Sequence, residues 1–147
     1  FFHRRQSQPH PGEGKLRILS MVRLANRPRL QAFTPGGDVH LRPTDAATLG
    51  ADTLLFHGCK PEAATNIQAD GLLLRYARQT GMLGPGLYGA PDPRKSWQYC
   101  AGTREGFVFV CRFNLAHPAK HAGPQTPHRN SMYDEYCVFD EDRVVVL

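Results

Sequence analysis

Apolar residues fall into short runs along this chain, and turn-forming residues separate them. Thr53 to His57 is a short apolar run that predicts a buried strand. Gly106 to Leu115, carrying Phe107, Val108, Phe109, Val110 and Phe113, predicts the strongest strand. Leu87 to Ala90, Tyr136 to Phe139 and Val144 to Leu147 predict further strands. Leu16 to Leu24 alternates, with Leu16, Ile18, Met21 and Val22 among Arg17, Ser20 and Arg23, and Val39 to Leu41 is a short apolar piece; both predict strands. Pro61 to Ala69 predicts a helix with Pro61 in its first turn, Ala63, Ala64 and Ile67 on one face, and Asp70-Gly71 as its stop. A second helix opens at Asp92-Pro93, with Asp92 as N-cap, and runs through Cys100; a third starts at Pro43 with Thr44 as cap and runs to Leu49. Pro35 to Asp38 signals a turn, Gly81 to Gly86 a glycine-rich loop, and Ala116 to Ser131, rich in Pro, His and Gly, a longer loop. Short strands, few helices and no regular strand–helix alternation predict an α+β fold with mostly antiparallel sheets.

Composition changes this picture little. At 147 residues the chain is long enough for one domain with one core. Phe1 to Lys15 is polar with Pro and Gly and reads as a flexible tail, 1–15, ahead of a single domain over 16–147. No apolar run reaches membrane-spanning length, so no membrane partner is expected. The start, Phe1-Phe2-His3-Arg4-Arg5, lacks the apolar core of a signal peptide and also lacks an initiating Met. Cys59, Cys100, Cys111 and Cys137 have neither Cys-x-x-Cys spacing nor nearby His at finger spacing, so no metal site is expected. Cys100, Cys111 and Cys137 sit in apolar contexts and read as core thiols of an intracellular protein, cytoplasmic or nuclear, with a secreted form carrying two disulfides as the alternative. The net charge of +5 is concentrated before residue 50, at Arg4, Arg5, Lys15, Arg17, Arg23, Arg27 and Arg29. Such an excess suits a solvated basic surface, an anionic ligand or a nucleic acid, although aromatic RNA-binding motifs are absent.

Candidate chemistry concentrates between Phe56 and Tyr136. The order is Phe56-His57-Gly58, Gly86-Leu87-Tyr88-Gly89-Ala90, Lys95-Ser96-Trp97-Gln98-Tyr99-Cys100 and Tyr133-Asp134-Glu135-Tyr136. Taken singly, each residue has an ordinary structural reading: His57 at a strand end, Tyr88 and Trp97 as packing, Glu135 on an edge strand. Gly58 permits close backbone approach by a ligand. Ser96 and Tyr99 share a helix face. Glu135 enters an apolar strand, where a carboxylate needs partners. The loop from Gly81 to Gly86 does not have the spacing of a dinucleotide-binding fingerprint.

These motifs, in this order, resemble the catalytic domain of poly(ADP-ribose) polymerases, over about the last two-thirds of the chain. The resemblance implies an ADP-ribosyltransferase fold, with mostly antiparallel strands in two packed sheets and few short helices. It implies a His-Tyr-Glu set made of His57, Tyr88 and Glu135, with NAD+ as substrate and no metal. His57, Gly58, Tyr88, Ala90, Ser96 and Tyr99 would bind NAD+. In that family His57 would hold the adenine-side ribose, and the backbone of Gly58 would hold the nicotinamide carboxamide together with the Ser96 hydroxyl. Tyr99 and Tyr88 would flank the nicotinamide ring. Glu135 would hold the 2′-hydroxyl of the nicotinamide-side ribose and favour the cationic transition state, with Asp134 as the alternative should the register differ.

This chain departs from the family at Cys59, often Ser, and at Gly89, often aromatic. The connection from Phe113 to Tyr133 is short, and residues 1 to 50 leave no room for a helical autoregulatory domain. The segment from Asn114 to Ser131 offers His117, Lys120, His121, His128 and Arg129 as polar contacts. Single ADP-ribose transfer to a protein or nucleic-acid acceptor is the expected activity. NAD+ glycohydrolysis and a non-catalytic NAD+ or nucleotide-binding module are the alternatives.

Overall fold

The structure, a computed structural model, describes residues 17–24, 27–33, 39–40, 52–100, 106–116, 119–127 and 131–147. The long apolar runs become the sheets. Sheet A contains β1 (Val39–His40), β2 (Asp52–Cys59), β4 (Phe107–Asn114) and β7 (Val144–Val146), in the order β1-β2-β4-β7. Sheet B contains β3 (Leu87–Gly89), β5 (Lys120–Ala122) and β6 (Glu135–Val138), in the order β3-β6-β5. All pairings are antiparallel except β1 with β2. The helices are short: α1 (Arg27–Ala32), α2 (Pro61–Asp70) and α3 (Pro93–Trp97). This is the α+β architecture that the pattern predicts.

The two sheets share one core. Leu55, Cys111, Phe113, Val144 and Val146 of sheet A meet Leu87, Tyr136 and Val138 of sheet B, with Ala64 and Ile67 of α2. Side chains alternate across a strand, so Tyr136 and Val138 point into this core while Glu135 and Cys137 point to the other face of β6. That face holds a smaller cluster of Leu83, Ala122 and Cys137, with Tyr88 and Phe139 packed on it. The sheets are tied by a pair of backbone bonds, Phe56 N–H to the Ala90 carbonyl at 2.8 Å and Ala90 N–H to the Phe56 carbonyl at 2.9 Å. Gly89 sits where this junction is tightest. A Cβ there would lie 2.8 Å from the Phe113 ring and 2.9 Å from Leu55 Cβ, so Phe113 fills the room an aromatic side chain at 89 would need.

Local signals explain the helices. Pro61 stands in the first turn of α2, and Gly71 ends it at φ +80°, its N–H bonded to the Ile67 carbonyl at 2.9 Å. The Asp92 side chain caps α3 by accepting from the Arg94 N–H at 2.8 Å. The α-helix stops at Trp97, and residues 98–100 tighten into a 3₁₀ turn, so the predicted helix through Cys100 is two kinds of helix. Positions three apart are eclipsed in such a turn, which keeps Ser96 and Tyr99 on one side.

Other expectations need correcting. Residues 17–24 form no strand; Ile18, Leu19, Met21 and Val22 are all exposed. The predicted loop from 116 to 131 contains β5, whose Lys120-His121-Ala122 sequence has no strand signature and becomes a strand by pairing with β6. Ala63 is exposed, and only Ala64 and Ile67 of its predicted face are buried. Glu135 is not on an edge strand, since β6 is the middle strand of sheet B. All four cysteines are buried and free. The 1–15 segment, the turn at 35–38 and the helix expected at 43–49 lie outside the described residues.

Candidate active site

The end of β2, β3, α3 with its 3₁₀ extension, and β6 converge on a cavity of about 600 Å³. Its remaining wall is α2 and the segment from Gly71 to Met82. The volume is within the range of small-molecule sites. His57, Gly58, Tyr88, Ala90, Ser96, Tyr99 and Glu135 all line it, so the structure brings together every site residue taken from the sequence.

His57 is half-buried, and its Nδ1 lies 2.8 Å from the Tyr88 carbonyl oxygen. A carbonyl can only accept, so Nδ1 carries the proton and donates it. Burial holds the pKa of His57 below its ordinary 6.5, against the opposing effect of this bond. The ring is therefore neutral at pH 7, with Nε2 left as an acceptor.

Gly58 cannot be any other residue in this geometry. A Cβ there would be 1.8 Å from the Ser96 carbonyl oxygen, so α3 packs directly on the glycine backbone. The N–H and C=O of Phe56 point away from β4, to Ala90. Backbone groups of alternate residues in a strand point the same way. Those of Gly58 therefore also point away from β4, at the position beyond the Ala90 bridge where the cavity begins. The Ser96 hydroxyl, almost fully buried, donates to the Phe56 carbonyl at 2.8 Å.

Tyr88 braces the glycine-rich loop. Its hydroxyl donates to the Gly84 carbonyl at 2.7 Å and accepts from the Leu83 N–H at 2.8 Å. A Cβ at Gly81 would be 2.3 Å from that hydroxyl, which is why the loop needs glycine there. Gly84 adopts φ +107°. Burial pushes the Tyr88 phenol up to about 12, so it stays protonated and can donate.

Glu135 is 2% exposed. Its Oε1 accepts from the Tyr99 hydroxyl at 2.5 Å, and its Oε2 lies 3.5 Å from Lys95 Nζ. Burial, then the Glu135 charge, push the Tyr99 phenol well above its usual range, consistent with a proton held on the tyrosine and donated. Lys95 Nζ also lies 5.5 Å from the centre of the Tyr99 ring. Lys95, Tyr99 and Glu135 thus form one compact cluster. Lys95 was not singled out from the sequence, although it lies four residues before Tyr99 and so on the same helical side.

Asp134, the alternative carboxylate, faces away. It is half-exposed, bonds His121 Nε2 at 2.8 Å and does not line the cavity. Trp97 does not line it either; its ring edge sits 3.0 Å from where a Gly106 Cβ would be, in keeping with a packing role. Cys59 lines the cavity, and burial pushes its thiol up to about 12, so it is an inert thiol. Lys120 donates to the Leu83 carbonyl at 3.1 Å, and His121 stacks on Tyr136 at 4.3 Å. His117, His128 and Arg129 lie outside the described residues.

The family model for the poly(ADP-ribose) polymerase catalytic domain matches residues 3–126. That span takes in His57, Gly58, Tyr88, Ser96 and Tyr99 and stops before Glu135. No curated protein matches the chain. The family match covers most of the sequence and agrees with the α+β architecture of two mostly antiparallel sheets, so the chain belongs to the poly(ADP-ribose) polymerase catalytic domain family, whose domains take NAD+ as substrate.

Proposed function

We propose that this protein cleaves the nicotinamide–ribose bond of NAD+ and transfers single ADP-ribose units to a protein or nucleic-acid acceptor. Glu135 carries this reading. It is a buried carboxylate on the wall of a cavity that suits a dinucleotide, held by a tyrosine hydroxyl and a lysine.

The Gly58 backbone offers one donor and one acceptor, the complement of a carboxamide. The Ser96 hydroxyl turns from the Phe56 carbonyl to add a further bond. Tyr99 stacks on the pyridinium, and Tyr88, fixed by the loop at 81–84, closes the other side with Ala90 at the floor. A cationic ring between aromatic faces gains stacking and cation–π attraction. His57, neutral with Nε2 free to accept, takes the 2′-hydroxyl of the adenine-side ribose.

Glu135 accepts from the 2′-hydroxyl of the nicotinamide-side ribose. As the bond to nicotinamide lengthens, positive charge grows on the ribose, as in glycoside cleavage. A fixed carboxylate beside it favours that charge over the ground state. Nicotinamide departs neutral, so its nitrogen needs no acid. Lys95 and Tyr99 hold the carboxylate oriented. The acceptor oxygen then attacks the anomeric carbon; a carboxylate adds without proton transfer, whereas a hydroxyl gives up its proton to Glu135 or to water.

Single-unit transfer is supported by the acceptor-side segment. Growth of a chain needs cations to hold its terminal pyrophosphate, and Lys120 and His121 are already engaged with Leu83, Asp134 and Tyr136. Incubation with labelled NAD+ tests the proposal. Label on protein or added nucleic acid, with one ADP-ribose per site by mass spectrometry, is expected. Free ADP-ribose alone indicates glycohydrolysis, binding without turnover indicates a binding module, and a ladder of chains refutes single-unit transfer.

A further inference from the structure

The charged Lys, Arg, Asp and Glu side chains lining the cavity are Lys60, Glu62, Arg78, Lys95 and Glu135. Lys95 and Glu135 answer one another. Arg78 is different. It is exposed on the wall formed by the segment from Gly71 to Met82, and no hydrogen bond or ion pair holds it among the described residues. Its neighbour Arg75 is committed, pairing with Asp70 at 3.3 Å and lying over the Tyr76 ring at 4.9 Å.

The position of Arg78 is informative. Leu72, Leu73 and Tyr76 of its own segment line the cavity together with Ala63 and Ile67 of α2. The charge of Arg78 reaches the Tyr99 phenol, whose upward shift it opposes. The cavity that Arg78 lines thus also offers apolar side chains suited to a base and the aromatic ring of Tyr99.

We infer that Arg78 grips the pyrophosphate of the bound dinucleotide and so adds affinity for its ADP part. The assignment rests on the NAD+ reading above. The pyrophosphate is a dianion joining a base to a ring, and a guanidinium matches two phosphate oxygens at once. No carboxylate among the described residues pairs with Arg78, so no ion pair with them breaks when the ligand arrives.

Calorimetric titration of the wild type, Arg78→Ala and Arg78→Lys with NAD+, ADP-ribose, adenosine and nicotinamide tests it. Arg78→Ala should weaken NAD+ and ADP-ribose by about tenfold or more, the scale of lost charge-assisted bonds. Adenosine and nicotinamide, which lack the pyrophosphate, should bind unchanged. Arg78→Lys should recover part of the loss, as a point charge. ADP-ribose affinity should fall less steeply with added salt in Arg78→Ala than in the wild type. Equal ADP-ribose affinity in wild type and Arg78→Ala overturns the assignment and leaves the NAD+ reading intact. Equal weakening of adenosine overturns it too, since Arg78 would then only shape the loop. A wild-type protein that binds neither NAD+ nor ADP-ribose overturns the NAD+ reading, and this inference with it.

Discussion

Removing Lys95 should expose how much of the site depends on one ion pair. Lys95 and Glu135 are both largely buried, with side chains 11% and 3% exposed. Breaking a buried pair by deleting one partner costs about 3 to 5 kcal/mol where the remaining charge is fully stranded. Here the remaining carboxylate keeps the Tyr99 hydroxyl at 2.5 Å, and the Lys95–Glu135 separation of 3.5 Å is longer than a tight contact. Lys95→Met should therefore cost less, about 2 kcal/mol, with the methionine keeping most of the stem packing. Glu135→Gln alone strands the ammonium and should cost a similar amount. The double variant strands neither, so its loss should fall short of the sum by about 2 kcal/mol. Urea unfolding of the four proteins measures this, provided the slope m stays constant across them. Additivity of the two single changes to within about 0.5 kcal/mol would refute a coupled pair.

Further outcomes follow from the same geometry. Gly58→Ala places a Cβ 1.8 Å from the Ser96 carbonyl oxygen, so α3 must shift; stability should drop by about 1 to 3 kcal/mol, and NAD+ affinity should be lost in calorimetry, whereas intact binding would show that the backbone of Gly58 is not used. Tyr99→Ala should weaken a flat benzamide by about 1 to 3 kcal/mol, and an unchanged affinity in the folded variant would remove Tyr99 from the ring subsite. The Arg29 guanidinium, bonded to Glu141 at 2.9 Å, holds that carboxyl below its ordinary 4.5. A carboxyl lowered by folding adds stability above its ordinary value, and this stability is lost as the pH falls through the lowered one. The urea midpoint of Glu141→Gln should therefore approach that of the wild type as the pH drops below 4.5, and parallel acid limbs would count against the pairing.

The sequence carries the residue types of the site but not their pairings. The runs around Leu55, Phe109 and Val138 are legible because burial on a strand demands continuous apolar side chains, and the sheets put them there. The alternating segment 17–24 misleads because alternation reports an amphipathic chain, not a partner strand, and Ile18, Leu19, Met21 and Val22 stay exposed. β5 is missed for the converse reason, since Lys120 to Ala122 is a strand only by virtue of β6. Within the site, Gly58, Ser96, Tyr99 and Glu135 are legible by type. That the Tyr99 hydroxyl meets Glu135, that Lys95 joins them, and that Ser96 supplies the carbonyl that forbids a side chain at 58 are facts of tertiary packing between residues far apart in the chain. Gly89 is similar: an apparent departure in sequence becomes a requirement once the Phe113 ring is seen against it.

Steady-state transfer and NAD+ binding by Glu135→Gln, measured side by side, test the central claim most directly. The substitution keeps the shape of the side chain and its bond from Tyr99 while removing the charge that faces the cavity. Transfer should fall by about a hundredfold or more, the scale of losing a preorganised electrostatic group. NAD+ affinity should change far less, because the carboxylate acts mainly on charge that develops during bond cleavage. Transfer close to the wild-type rate in Glu135→Gln would contradict the assignment of Glu135 as the catalytic carboxylate.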